Sequence, residues 1–257
     1  MSRRSSKRVD RPEVTLENSR AVYDYYRDHQ QNRALACAAY GLLAARYRPR
    51  ITYGTGAERA LRDVLGSRSV LLVAANHLSE FDQYTLAATA WRTPLRGVIG
   101  RTRVLAKDEV FDPPRRRREV DVMGGIPVFR SKNHGLRAVA DAGRLMMEVS
   151  AERLARGDNL AVFPEGTCNY DDPPTVQHVN SGIGHIASRA TKAGASVALL
   201  SVGIAYDPDS PHGDPAVKSA SVFLAEPVLE LPQKPIDISR LVHADLQKAV
   251  DGAIAAY

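Results

Sequence analysis

The strongest constraint on this 257-residue chain is a rhythm: apolar runs alternate with longer stretches of helical periodicity. The runs are residues 69–75 (SVLLVAA), 125–129 (GIPVF), 159–163 (NLAVF) and 195–205. A short, unbroken apolar run fits a strand buried on both faces, and strands separated by helices pair in parallel. The expected class is therefore α/β, a mixed, largely parallel sheet flanked by helices, with an N-terminal helical extension. Segments 95–100 and 219–229 read as further strands. Segments 56–65, 82–91, 133–156, 179–193 and 238–256 read as helices. Segment 101–122, with Pro113, Pro114 and the arginine run 115–118, reads as irregular. Residues 1–15 read as a basic flexible tail. Residues 16–50 form a helical segment of one long or two short helices, stopped at Pro49, which disfavours helix at the residue before it. Residues 51–257 form one domain, with no internal repeat and no Pro/Gly linker to divide it.

Charge sharpens the picture. Residues 1–50 hold 11 basic and 5 acidic residues, and residues 92–118 hold nine basic and three acidic, while the chain as a whole is only +6. A neutral body with two basic surfaces fits local anionic partners better than a nucleic-acid coat, and the 6% aromatic content and missing reader motifs agree. Cys37 and Cys168 lie 131 residues apart without CxxC spacing, so neither a disulfide framework nor a zinc cluster is expected. The basic start lacks the apolar core of a secretory signal. The longest apolar run, residues 34–45, is twelve residues against the ~20 a bilayer span needs.

Two segments that directly follow strand-like runs carry the chemistry. The first is Asn76-His77-Leu78-Ser79-Glu80-Phe81-Asp82. On a regular helix His77 and Asp82 would sit about 140° apart, so they meet only if the chain turns between them. In that case the carboxylate fixes one imidazole nitrogen and leaves the other to take a proton from a hydroxyl. The competing reading makes Asp82 a helix N-cap and His77 a loop residue. The second segment is Phe163-Pro164-Glu165-Gly166-Thr167, where Gly166 permits a tight turn and Glu165 can orient a hydroxyl or a cation; a plain strand exit is the alternative.

Together, NHLSEFD at 76–82 and FPEGT at 163–167 resemble the NHxSxxD and FPEGT blocks of the glycerolipid acyltransferase superfamily, the 1-acylglycerol-3-phosphate and lysophospholipid acyltransferases. Gly125 to Arg130 is similar to its G-x-x-x-x-R block, and weaker likenesses at 107–110, 181–187 and 225–228 extend the match over about residues 69–230. The resemblance implies an O-acyltransferase moving a fatty acyl group from acyl-CoA or acyl-carrier protein to a lysophospholipid hydroxyl. His77 would be general base, Asp82 its orienting partner, and Arg130, Glu165, Gly166, Thr167, Asn76 and Ser79 substrate-binding residues. It implies no metal or redox cofactor. An enzyme of this kind is expected in the cytoplasm, peripheral on the inner, anionic face of the cell membrane. A different acceptor, such as a glycolipid or specialised metabolite, or a non-catalytic lipid- or carrier-binding role, remains the alternative. Three features depart from the family pattern: Cys168 stands where phosphate-acceptor members often carry Arg, residues 198–202 lack the usual proline, and 53 residues separate His77 from Arg130.

Other patterns read as decoys. Gly182-Ile183-Gly184-His185-Ile186-Ala187 fits GxGxxG/A but does not directly follow a strand. His178 and His185 lack a third metal ligand. Cys168 reads as a small filler or a nucleophile in a site loop. The run 115–118 is either a solvated loop or a contact for the donor's phosphates, an acidic carrier or anionic headgroups. The tyrosines at 23, 25, 26, 40 and 47 suit either a membrane interface or the core, with the interface slightly favoured.

Overall fold

The computed structural model describes residues 11–209 and 220–257, so the first ten residues of the expected tail and Ser219 lie outside the described residues. The elements run α1 (Ser19–Asp28), α2 (Arg33–Arg46), β1 (Arg50–Tyr53), α3 (Ala57–Gly66), β2 (Val70–Ala75) and α4 (Asp82–Arg92). Next come a 3-10 turn (Pro94–Val98), β3 (Thr102–Lys107), a second 3-10 turn (Asp108–Phe111), α5 (Pro114–Val122), β4 (Gly125–Val128), α6 (Ser131–His134), α7 (Leu136–Ala155) and β5 (Asn159–Val162). The chain closes with α8 (Gly182–Lys192), β6 (Val197–Ala205), β7 (Ser221–Leu224) and α9 (Pro235–Ala255). Seven strands form one sheet in the order β1-β7-β6-β2-β5-β3-β4. All pairings are parallel except β6 with β7, so β1 and β7 run against the other five. The α/β class, mixed and largely parallel, is as expected.

Every residue of β2 and β6 is buried, which explains their unbroken apolar sequence: helices cover both faces. Alternate β2 residues Val70, Leu72 and Ala74 face a core built with α1, α7, α8 and α9. Leu71, Val73 and Ala75 face a second core with Leu61 and Val64 of α3 and with Leu95 and Val98. Beyond it, Tyr40 of α2 packs with Ala87 of α4 and Ile99.

Three expectations need correction. Segment 95–100 is not a strand: Pro94 opens a 3-10 turn there, and Leu95 and Val98 plug the second core. Segment 101–122 is not irregular but holds β3, a 3-10 turn and α5. Strand β3 is hard to read because its buried Arg103 looks like a surface residue, yet its Nε donates to Asp158 at 2.8 Å. Helix α5 starts with Pro114 at its first position, where the missing N–H costs no bond. The arginine run is also split, with Arg117 buried while its three neighbours are exposed.

The segment before residue 50 forms two helices. Val22, Tyr23 and Tyr26 of α1 are buried in the first core. Tyr23 donates to the Pro127 carbonyl at 3.0 Å and Tyr26 to Asp121 Oδ1 at 2.8 Å. Helix α2 packs on α4 but leaves Leu35 and Leu42 exposed at 54% and 74%. Among the described residues, no helix is long and apolar enough to cross a membrane.

The GxGxxG-like run lies inside α8, where a Cβ on Gly184 would meet the Pro235 carbonyl oxygen at 2.0 Å. Glycine there lets α8 press against α9.

Candidate active site

Parallel α/β sheets form sites beyond the carboxyl ends of their strands, and the site is assembled there. His77 follows β2, Lys107 ends β3, Arg130 follows β4, Glu165 follows β5 and Tyr206 follows β6.

The chain does turn between His77 and Asp82. His77 Nδ1 lies 2.7 Å from Asp82 Oδ2, and the same oxygen accepts the Leu78 and Ser79 backbone N–H groups at 2.6 and 2.9 Å. Oδ1 accepts the Tyr206 hydroxyl at 2.6 Å, and Thr85 Oγ1 lies 3.3 Å from that hydroxyl. Asp82 is fully buried in the first turn of α4, where a helix favours negative charge. It is not the N-cap of α4, a position held by Phe81 without a side-chain bond; its carboxylate instead ties the preceding loop to His77, because the loop's own N–H groups turn toward it. The Tyr206 phenol is held well above its ordinary pKa by burial and the Asp82 charge, so it stays a donor.

The imidazole stacks on Phe163, with centroids 4.2 Å apart and planes 15° apart. Burial alone would lower its pKa, but hydrogen bonds with Asp82 and Cys168 and the Asp82 charge outweigh this and raise it to about 9. Its Nε2 lies 3.3 Å from Cys168 Sγ. The nearby Cys168 is the largest cause raising the Tyr170 pKa to about 12. A 2.6 Å bond from Asn169 N–H to the His77 carbonyl ties the two motif loops together.

Glu165 is only 6% exposed, and both carboxylate oxygens lack a hydrogen-bond partner. Burial raises its pKa to about 7 against the opposing pull of His77. Gly166 has φ +76°, which the tight turn after the strand requires, and Asn180 Nδ2 bonds the Pro164 and Glu165 carbonyls to hold that turn. Thr167 is exposed at the rim.

A cavity of about 830 Å³ opens among these groups. His77, Lys107, Arg116, Arg130, Glu165, Gly166, Thr167 and Cys168 line its polar part. Its apolar part continues along the sheet past Leu71, Val73, Leu95, Val98 and Ala161 to Tyr40. Arg130 Nη2 donates to Glu109 at 2.8 Å and Lys107 to Glu80 at 3.0 Å, so both cations are paired at the mouth; Arg130 Nε is buried without a partner.

Two expected substrate contacts lie elsewhere. Asn76 exchanges bonds with Ile204, donating to its carbonyl at 2.9 Å and accepting its N–H at 2.7 Å, which splices β2 to β6. Ser79 Oγ accepts the Phe81 N–H at 3.1 Å. Neither lines the cavity, because each side chain is used to shape the loop. Sequence reasoning missed Tyr206 and Thr85. Tyr206 lies 124 residues from Asp82, and the one available signal is a tyrosine at the end of a fully apolar strand. Among the described residues, no group of three or more His, Cys, Asp or Glu could hold a metal ion.

A half-buried histidine held by a fully buried aspartate thus stands at the mouth of a deep, partly apolar cavity on the strand ends of a parallel sheet. An acyltransferase family model matches residues 56–205, well over half of the chain, and the chain belongs to that family; it is an acyltransferase enzyme. No curated protein sequence matches it. Among solved structures it is similar to the 1-acyl-sn-glycerophosphate (LPA) acyltransferase PlsC from Thermotoga maritima. The TM-score is 0.53 at 18% identity, covering 94% of this chain and 83% of that one. At that identity the likeness is one of fold.

Proposed function

We propose that the protein transfers a fatty acyl group from an acyl thioester, acyl-CoA or acyl-carrier protein, to a lysophospholipid hydroxyl such as that of 1-acylglycerol-3-phosphate. The observation that carries this reading is the His77–Asp82 pair opening onto an apolar cavity of about 830 Å³, within the size range of ligand sites. In it His77 is the general base. The imidazolium that forms when the ring takes a proton is stabilised by the fully buried Asp82 at Nδ1. The acyl chain occupies the apolar part, along Leu71, Val73 and Val98. That wall follows β2, which at ~3.3 Å per residue is about 20 Å long. Glu165 accepts a hydrogen bond from a hydroxyl of the acceptor, Gly166 and Thr167 border it, and Arg130 meets its phosphate through the unpartnered Nε edge. The reading requires no metal or redox cofactor.

One observation favours a second acceptor class. Arg130 is already paired with Glu109, and an uncharged Cys–Asn–Tyr sequence follows Thr167, so a glycolipid or other uncharged acceptor suits the mouth as well as a phosphate. A surface role for α2 is part of the proposal: Leu35, Ala38 and Leu42 form an exposed apolar stripe suited to the cytoplasmic face of an anionic membrane. The test is mass spectrometry of products from palmitoyl-CoA or palmitoyl-carrier protein with a panel of lysolipids and glycolipids. Acylated lysophosphatidate is expected. Release of no thiol with any donor and acceptor, or full activity in His77→Ala, overturns the reading.

A further inference from the structure

The group that faces the free nitrogen of His77 is a thiol. Cys168 Sγ lies 3.3 Å from Nε2, while Asp82 Oδ2 holds Nδ1 at 2.7 Å. This is a nucleophile within reach of a base that a third group orients. The sulfur fills the position from which a substrate hydroxyl would reach Nε2. Beside this set, in the same cavity, the Glu165 carboxyl is nine-tenths buried with neither oxygen partnered. A carboxyl left in that condition calls for a donor on the ligand, and so marks a separate place for the acceptor hydroxyl.

We propose that Cys168 is a catalytic nucleophile that carries the acyl group between donor and acceptor, so that transfer runs through an S-acyl-enzyme. The proposal rests on the acyl-thioester reading above and adds a step to it. In the first half, the Cys168 S–H proton passes to His77 Nε2 and the thiolate attacks the donor's carbonyl carbon. A new C–S bond forms to Cys168, the donor's C–S bond breaks, and the departing thiolate takes the proton back from His77. One thioester is exchanged for another without oxidant or reductant. In the second half, the acceptor hydroxyl gives its proton to His77 and its oxygen attacks the acyl carbon on Cys168. The C–O bond forms, the C–S bond breaks, and Cys168 leaves as a thiolate that recovers the proton. Both halves use the same base, and the acyl chain stays in its cavity while the donor's thiol is replaced by the acceptor.

The test is to incubate the full chain with palmitoyl-CoA in the absence of acceptor, follow thiol release and intact mass, and then add lysophosphatidate. Expected are a burst of about one thiol per enzyme and a mass gain of one palmitoyl group that hydroxylamine removes. The label should map to Cys168 rather than Cys37, and lysophosphatidate should discharge it at the turnover rate. His77→Ala should load at least tenfold more slowly. Cys168→Ala should lose at least about a hundredfold in turnover, as expected when one member of a nucleophile–base set is removed. Transfer by Cys168→Ala within threefold of the wild type, no adduct on a wild type that turns over, or a Cys168 adduct that the acceptor does not discharge each overturns the proposal and leaves the acyltransferase reading standing. A wild type that releases no thiol from palmitoyl-CoA or palmitoyl-carrier protein with acceptor present overturns both. The adduct is measured on the unaltered protein, so a poorly folding variant does not decide the result.

Discussion

The two faces of the sheet are built to different ends. On one, Val70, Leu72 and Ala74 meet α1, α7, α8 and α9 in the largest buried cluster, with Val149, Val242 and Leu246 wholly enclosed. On the other, Leu71, Val73 and Val98 border the 830 Å³ cavity that reaches from His77 to Tyr40. Both faces are equally apolar in sequence. What differs is the layer on top: the long helices α7 and α9 cover the first face, with Gly184 admitting α9 against α8, whereas a 3-10 turn and α4 bridge the second. Close packing supplies stability, because each atom removed leaves a void. A hollow supplies room for a ligand chain, and its walls have fewer contacts to lose.

The sharpest separation is expected at the end of the hollow. His77→Ala should lower acyl transfer by about 10²–10⁴-fold, the range for general bases, while the protein still folds, since the ring borders the cavity. On the solid face the balance reverses: Leu246→Ala should cost about 2–5 kcal/mol by denaturant unfolding and leave turnover per folded molecule unchanged. A next contrast uses one substitution on both faces. Val149→Phe should overpack by about 1–3 kcal/mol, whereas Val98→Phe should cost less and shift donor preference to shorter acyl chains in a chain-length series. Tyr206→Phe removes one of four donors to Asp82 and should lower kcat about tenfold with little change in KM, roughly the strength of a hydrogen bond to a charged group.

The smallest expected effect is on pH dependence. His77 is raised from 6.5 to about 9, so its contribution to stability is complete below pH 6.5 and is lost as pH rises through 9. Glu165 is raised from 4.5 to about 7, so burial favours its protonated form and that advantage fades as pH rises through 7. Glu165→Gln should therefore flatten the fall in melting temperature between pH 5 and 8 and raise it by a few degrees at pH 8, measured by thermal unfolding. Equal slopes in the two proteins would mean that the carboxyl is solvated.

What could be read in the sequence follows from what is local. Strands β2 and β6 are buried on both sides and announce themselves as apolar runs. The His77–Asp82 contact closes over five residues, so its spacing is visible. Strand β3 was hidden because the partner that lets Arg103 be buried, Asp158, lies 55 residues on. Strand β1 has only four residues at the sheet edge and no fully buried position. Residues 95–100 looked like a strand because an apolar plug and an apolar strand share a composition. At the site, no spacing rule connects Tyr206 to Asp82, and the proximity of Cys168 to His77 depends on two loops meeting across 91 residues.

The four bonds to Asp82 make it a single point of failure. One carboxylate fixes the start of α4, the Leu78–Ser79 turn, the Tyr206 side chain and the imidazole. A chain altered at position 82 thus loses an architectural joint and a charge in one stroke, and its inactivity has two inseparable causes. Position 77 sits at the rim of the same network and can fail alone. Tolerance to substitution should therefore be lower at Asp82 than at His77, even though only the histidine is proposed to move a proton.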